Sequence, residues 1–323
     1  MIRTAVIQET GARPVVTTAP PPDHAAHVAA GRAVVRMQAA ALNFADLLKA
    51  QGKYQEPEQP PFVPGLEGAG TVLAAPPGCG VAAGDRVIVA APGTMAEEIA
   101  VDPGLLHRFP DAMSMTQAAG FHVAYGTSHL ALSGRAGLLP TDTLVVLGAA
   151  GGVGLTAVEI GHAMGARVIG VARGADRLEV VRRAGADHVI DSAECPDLKA
   201  ALRDLGGVDV VYDAVGAEPG EAAFGALRRG GRFLVIGFAA GRPPRLPLNH
   251  ALVKNIAIHG LYWGGYAQLD PAAMHRSMDA LFEMFRAGRL HPVAGEDLPL
   301  ADIAAGYDML EERRSVGKVI ITL

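Results

Sequence analysis

The stretch LVVLGAAGGVGLTAVEIG, residues 144–161, decides the fold. An apolar run of strand type enters Gly148, Gly151, Gly152 and Gly154, and helix-forming residues follow directly. The first turn of a helix leaves its backbone N–H groups unpaired and carries a partial positive charge. An anionic group such as a pyrophosphate can dock there if no side chain protrudes. Gly151 and Gly152 would permit that approach, with Ala150 and Val153 completing the turn, and Gly154 would let the helix pack closely on the strand. Position 149 is Ala where the dinucleotide fingerprint has its first Gly, leaving A-x-G-x-x-G. Alone that is a weak signal, and a glycine-rich tight turn with no ligand is the alternative. Its weight comes from the surroundings.

Downstream, the segments ARVIGVAR, DHVID, VDVVYDAVG, GRFLVIGF and IAIHGLYW alternate with helical stretches at about 176–184, 196–205 and 219–229. Strands alternating with helices predict right-handed βαβ units and a parallel sheet covered on both faces. Six strands in this order predict an α/β, doubly wound, six-stranded Rossmann sheet over residues 123–267. Upstream, short apolar segments such as RTAVIQE and GDRVIVAAP are separated by Gly, Pro and Asp, and the one helical interruption is NFADLLKAQG, residues 43–52. That rhythm predicts a β-rich, largely antiparallel unit. His24 and His27 have i, i+3 spacing but fall in a Pro-rich turn, where surface histidines are the simpler reading than metal ligands. After residue 267 come an amphipathic helix, DIAAGYDMLEE and GKVIITL, too few elements for a third domain. They are expected to pack back on the first unit, so that residues 1–122 and 268–323 form one discontinuous domain.

The identity of the dinucleotide is a question of charge. An NAD-binding fold places Asp or Glu at the end of its second strand, against the ribose 2′-hydroxyl. Here Ala172 stands there, followed by RGADR. A carboxylate would repel a 2′-phosphate, whereas Arg173 and Arg177 offer forked donors matched to phosphate oxygens. At roughly 1.5–3 kcal/mol for each charge-assisted bond, the pair would favour NADPH by about two to four orders of magnitude. Ser192, after the third strand, would add a neutral hydrogen bond. The alternative is two solvated surface arginines. Asp213 and Val215, in the YDAVG turn, lie at a strand C-terminus where parallel sheets collect ligands.

Composition narrows the class. The chain has 323 residues, half of them hydrophobic and 19% charged, which suits a large core split between two domains. A net charge of −5 argues against a nucleic-acid or anionic-membrane partner. Two cysteines exclude a disulfide framework and a four-thiolate metal site, and suit a reducing cytoplasm. Neither a signal peptide nor a membrane span is expected.

The motifs ALNFADLLKAQGKY, FVPGLEGAGTV, GDRV, AYGTSHLAL, GAAGGVG, GADHVID, VDVVYDAVG, GGRFLVIGF and GKVIITL together resemble the medium-chain dehydrogenase/reductases. Within them the resemblance is to the zinc-free quinone oxidoreductases related to zeta-crystallin. It covers essentially the whole chain and implies a GroES-like catalytic domain beside the Rossmann domain. In zinc-dependent relatives PGLEGAG carries a His ligand where this chain has Leu66, AAALNFADLL lacks their Cys, and their four-cysteine lobe is absent. The resemblance therefore implies a metal-free site. Hydride addition to an isolated ketone builds an alkoxide that a Lewis acid helps to stabilise. A quinone or α,β-unsaturated carbonyl instead yields a phenolate- or enolate-like anion, and a phenol has a pKa of about 10. Hydrogen bonds can then suffice, so the expected activity is NADPH-dependent hydride transfer to a quinone or similar conjugated carbonyl.

By resemblance Asn43 lies beside the nicotinamide and would donate to the acceptor oxygen. Asp46, on the same helix face, would orient Asn43 or a water, or would simply be a first-turn carboxylate favoured by the helix dipole. Tyr54 would line the acceptor pocket or be structural. Thr127, Gly237, Phe238, Trp263 and Lys318 are assigned to the cofactor, with an ordinary helix hydroxyl, core aromatics and a strand-edge lysine as the plain alternatives. No side chain stands out as a general acid, which leaves water as the proton source. The family resemblance also implies a homodimer, with NIAIHGLYW as the pairing edge. An enone or enoyl-thioester reductase of the same fold and a non-catalytic NADPH-binding sensor remain alternatives.

Overall fold

Strands β1 (Ile2–Val6) and β2 (Val15–Ala19) pair antiparallel at the start of the chain. Helix α1 (His24–Ala29) follows, capped by the Asp23 carboxylate, which accepts the Ala26 N–H at 3.1 Å. The prolines at 20–22 thus end just ahead of an N-cap, and His24 and His27 lie on a short helix, not in a turn. Next come β3 (Ala33–Leu42), α2 (Phe44–Ala50), β4 (Gly68–Ala74), β5 (Arg86–Val89), β6 (Glu98–Val101), β7 (Leu106–Arg108) and α3 (Met115–Ala119). Helix α4 (His122–His129) runs into a π-helical turn, Leu130–Arg135.

Six strands then alternate with helices: β8 (Thr143–Leu147), α5 (Gly152–Ala163), β9 (Arg167–Ala172), α6 (Ala175–Arg183), β10 (His188–Asp191), α7 (Leu198–Asp204), β11 (Val208–Asp213), α8 (Ala217–Ala226), β12 (Leu227–Val235), α9 (Leu248–Lys254) and β13 (Ala257–Gly260). Their spatial order, β10-β9-β8-β11-β12-β13 with every pair parallel, is that of the expected doubly wound sheet. Val145, Leu147, Ile169, Val211 and Phe233 supply its core with Phe224 of α8. The chain continues through α10 (Tyr266–Leu269), α11 (Pro271–Arg286), β14 (Ala294–Pro299), α12 (Ile303–Glu311) and β15 (Lys318–Thr322).

The computed structural model describes residues 1–292 and 294–323. It divides into two units, Met1–Val123 with Pro292–Leu323, and Ala124–His291. The first is built on a seven-stranded sheet ordered β14-β15-β3-β4-β5-β7, with β6 also pairing β3. Strand β15 runs antiparallel to β3 within this unit and buries Val319, Ile320 and Ile321. Helix α11 belongs instead to the second unit, where the Ser277 hydroxyl meets His129 Nδ1 at 2.8 Å and Met278 and Leu281 are buried. Its apolar stripe shows that the helix needs a partner, but amphipathicity does not say which unit provides one.

Candidate functional site

In the second unit, Gly148 turns the chain off β8 with φ +72°, and α5 opens at Gly151 with no side chain capping it. A Cβ on Gly154 would stand 2.1 Å from the Gly148 carbonyl oxygen, so helix and strand approach closely only because that position is glycine. The uncapped first turn of a twelve-residue helix, at the carboxyl end of the first strand of a doubly wound sheet, fits a dinucleotide pyrophosphate. Ala150 is buried, while Gly151, Gly152 and Val153 are partly exposed around the turn.

Behind the turn lies a hydroxyl cluster that the sequence reading missed. Ser128 of α4 contacts Thr156 Oγ1 at 2.8 Å and Tyr212 OH at 2.9 Å, and donates to the Val153 carbonyl at 2.9 Å. Thr156 donates to the Ala124 carbonyl at 3.1 Å. These bonds tie α5 to α4, which carries the buried Thr127, and to β11. Burial pushes the Tyr212 phenol well above its ordinary value. Only the period of the strands and helices was legible, and hydroxyls on three different elements carry no joint signature.

The remaining cofactor candidates collect at strand ends. Asp213, buried at the end of β11, accepts the N–H groups of Val215 at 2.9 Å and Gly216 at 2.8 Å with one oxygen. Its other oxygen has no partner among the described residues, and burial raises its pKa against those two backbone donors. Asp213 therefore shapes the turn that presents Val215. The segment after β12 is tied to that turn, with Gly237 N–H on the Asp213 carbonyl and Ala240 N–H on the Val215 carbonyl. Phe238 beside it is 37% exposed. Trp263 is buried against Gly126 of α4, where a Cβ would fall 2.4 Å from its ring. Arg173 is exposed and Arg177 partly so, on the turn into α6, and Ser192 is exposed just beyond β10.

The catalytic candidates sit in the first unit. Asn43 ends β3 and precedes α2, and its side chain is buried in a charged cluster. The Lys318 ammonium donates to Asn43 Oδ1 at 2.6 Å and to Glu67 Oε1 at 2.7 Å, and Asn43 Nδ2 donates to the same Glu67 oxygen at 3.1 Å. Glu67 is fully buried, and its other oxygen accepts the Val123 N–H at 2.8 Å. Lys318 is thus neither exposed nor at a free strand edge: it opens β15 between two partners. Two of its three N–H groups are used, and one N–H of Asn43 has only a 3.5 Å contact with the Ala41 carbonyl.

Asp46 accepts the backbone N–H of Asn43 at 2.8 Å and of Gly65 at 3.1 Å, one oxygen to each. It therefore fixes the backbone before α2 and the segment leading to Glu67. Burial raises its pKa to about 6 against the two N–H groups and the nearby Lys318 and Lys49. Tyr54 is partly exposed, and the Lys49 ammonium lies 5.7 Å from its ring centroid while bonding Glu58 at 2.7 Å. Glu67 was missed because a glutamate between two apolar-rich turns looks like a solvated loop residue. The signal available was a lone charge within PGLEGAG. Among the described residues no three His, Cys, Asp or Glu side chains are grouped so as to hold a metal ion.

A doubly wound dinucleotide unit joined to a β-rich unit with a buried Lys–Glu–Asn cluster defines a nicotinamide-dependent oxidoreductase architecture. Residues 29–111 match the alcohol dehydrogenase GroES-like domain, and residues 152–281 the zinc-binding dehydrogenase family. The quinone oxidoreductase-like protein 2 homolog of Nematostella vectensis is 36% identical, over 89% of this chain and 80% of its own. The structure of the quinone oxidoreductase of Thermus thermophilus, described with its NADPH complex, superposes with a TM-score of 0.86 at 31% identity, over 99% of this chain and 100% of that one. A mycocerosic acid synthase-like polyketide synthase of Mycobacterium tuberculosis is 31% identical over 90% of this chain, which amounts to 14% of that much longer protein. The chain belongs to the quinone oxidoreductase-like family of the medium-chain dehydrogenase/reductase superfamily.

Proposed function

We propose that the protein is an NADPH-dependent oxidoreductase that reduces a quinone or similar conjugated carbonyl without a metal ion. The observation that carries the reading is the buried cluster of Lys318, Glu67 and Asn43. It offers hydrogen-bond donors where negative charge would develop. NADPH, the ligand named for the Thermus relative, supplies a hydride when bound. The α5 turn, with Gly151, Gly152 and Val153, holds the pyrophosphate, and Arg173, Arg177 and Ser192 hold the 2′-phosphate. Thr127, Val215, Gly237, Phe238 and Trp263 line the nicotinamide side.

On the acceptor side, Lys318 donates to the oxygen of the Asn43 amide and so orients the amide, whose less engaged N–H is the group offered to the acceptor. The spare N–H groups of Asn43 and Lys318 stabilise the enolate- or phenolate-like oxygen. Asp46 holds Asn43 through the backbone, and Tyr54 borders the acceptor. A second reading, enoyl-thioester reduction, is favoured by the match to a polyketide synthase segment. A pure NADPH-binding protein would have no use for a buried charged cluster, whose desolvation costs several kcal/mol for each ion. A homodimer formed along β13, in the cytoplasm, completes the proposal.

The test is NADPH oxidation followed by absorbance against quinones, enones and enoyl-CoA esters, with and without a chelator. Turnover of conjugated acceptors unaffected by the chelator is expected. Loss of activity on chelation, restored by zinc, defeats the metal-free reading. Tight NADPH binding without turnover of any acceptor defeats the enzyme reading.

A further inference from the structure

Strands β9 and β10 run parallel, and Asp191 at the end of β10 lies opposite Ala172 at the end of β9. Beyond this pair the chain makes two turns, one through Arg173 and Gly174 into α6, the other through Ser192 and Ala193. One carboxylate holds both. Asp191 accepts the Gly174 N–H with its two oxygens at 3.2 and 3.1 Å, and the Ala193 N–H at 2.9 Å. Between them, the Ser192 N–H closes on the Ala172 carbonyl at 2.8 Å. Gly174 holds φ +85°, a conformation other L-residues resist, and an added Cβ there would meet no atom within 4 Å. At position 174 the turn is therefore shaped by backbone conformation and by the Asp191 hydrogen bonds.

The anchored turns bear Arg173, Arg177 and Ser192, the proposed ligands of the 2′-phosphate. Arg177 is the third residue of α6, so its guanidinium is aimed by the same turn that Gly174 opens. We propose that Asp191 is the positioning residue of the 2′-phosphate subsite and, through it, a determinant of the preference for NADPH over NADH. This rests on the reading of Arg173 and Arg177 given above. Both Asp191 oxygens are occupied by N–H donors of the turns, so a carboxylate can stand close to a phosphate subsite by shaping it. NADH carries no 2′-phosphate, so loosening these turns weakens NADPH selectively.

Dissociation constants of both coenzymes, from fluorescence titration of the full chain, test this. Arg173→Ala/Arg177→Ala is expected to lower the NADPH-to-NADH affinity ratio by about a hundredfold. Asp191→Ala is expected to lower it about tenfold, with NADH affinity unchanged. Asp191→Asn keeps an acceptor oxygen and should retain most of the preference. Gly174→Ala disturbs the same turn independently and should repeat the selective loss even if Asp191→Ala does not fold. An arginine double variant with an unchanged ratio defeats the subsite and this inference with it. If the arginines matter, but Asp191→Ala and Gly174→Ala weaken both coenzymes equally or neither, the inference alone is overturned.

Discussion

Lys318 and Glu67 place opposite charges where water is almost excluded, with side chains 9% and 0% exposed. Removing one member of such a pair leaves the other charged and unpartnered. Lys318→Met should therefore destabilise the fold by about 3–5 kcal/mol in denaturant melts. Lys318→Met/Glu67→Gln removes both charges and should recover a large part of that loss. Equal destabilisation by the single and double variants would mean that pairing is not what the site depends on. Asp46 makes a different prediction because its pKa is raised, not lowered. It keeps its proton up to about pH 6 in the folded chain, whereas an aspartate in an unfolded chain loses it near 3.9. Between those values the native state binds more protons, so this group's contribution to stability falls as pH rises, by about 3 kcal/mol in all. Unfolding free energies measured from pH 4 to 7 should fall more steeply for the wild type than for Asp46→Asn. Coincident slopes would rule out Asp46 as a buried, late-ionising carboxyl. At this scale the sequence was only partly legible. Asn43, Asp46 and Lys318 could be singled out, but the contact between Asn43 and Lys318 joins positions 275 residues apart and cannot be read from local spacing.

The turn between β8 and α5 was the most legible element because its requirements are local. A strand period, four glycines and a helix period follow one another within eighteen residues. The structure adds the reason for Gly154: a Cβ would meet the oxygen and carbon of Gly148 at 2.1 and 2.8 Å and Ala149 Cα at 2.9 Å, all of them backbone atoms. None of these can rotate away, so Gly154→Ala must lift α5 from the strand. The expected cost is about 1–3 kcal/mol of stability or more, with NADPH affinity down about tenfold or further. Calorimetric titration with NADPH checks it, and wild-type affinity in a folded Gly154→Ala variant would contradict the close-packing account. Helix α11 shows the opposite case. Its apolar stripe was plain in the sequence, yet its partner is chosen by tertiary contacts such as Ser277 with His129, and the expectation put it in the wrong unit. Helix α1 was lost for a smaller reason, three prolines masking an Asp23 cap.

For the whole molecule, the order of the six parallel strands follows from connection rules that leave few alternatives. What those rules leave open is how the two edges of the sheet, β10 and β13, are covered. Strand β13 ends the six-stranded order with one side unpaired among the described residues, and Ile258 on it is 39% exposed. On α9, just before it, Leu248, Leu252 and Val253 are exposed as well. An unpaired strand flanked by apolar side chains is a template for another strand, and a charge on such an edge is the usual protection against pairing. His259 is the one ionisable side chain of β13, and burial with the nearby Arg135 and Arg232 lowers its pKa, so at neutral pH it adds little charge to that edge. A two-fold pairing of β13 with a second copy satisfies the open backbone groups and covers Ile258 in each chain. The proposed homodimer therefore predicts a mass of twice 33.3 kDa by size exclusion with light scattering at micromolar concentration. Ile258→Lys should shift that mass to the monomer while leaving NADPH affinity within about threefold, because the turn proposed to hold the pyrophosphate lies at β8, three strands in from the edge. A wild-type monomer at that concentration, or an Ile258→Lys dimer, would place the self-association, if there is any, on another face.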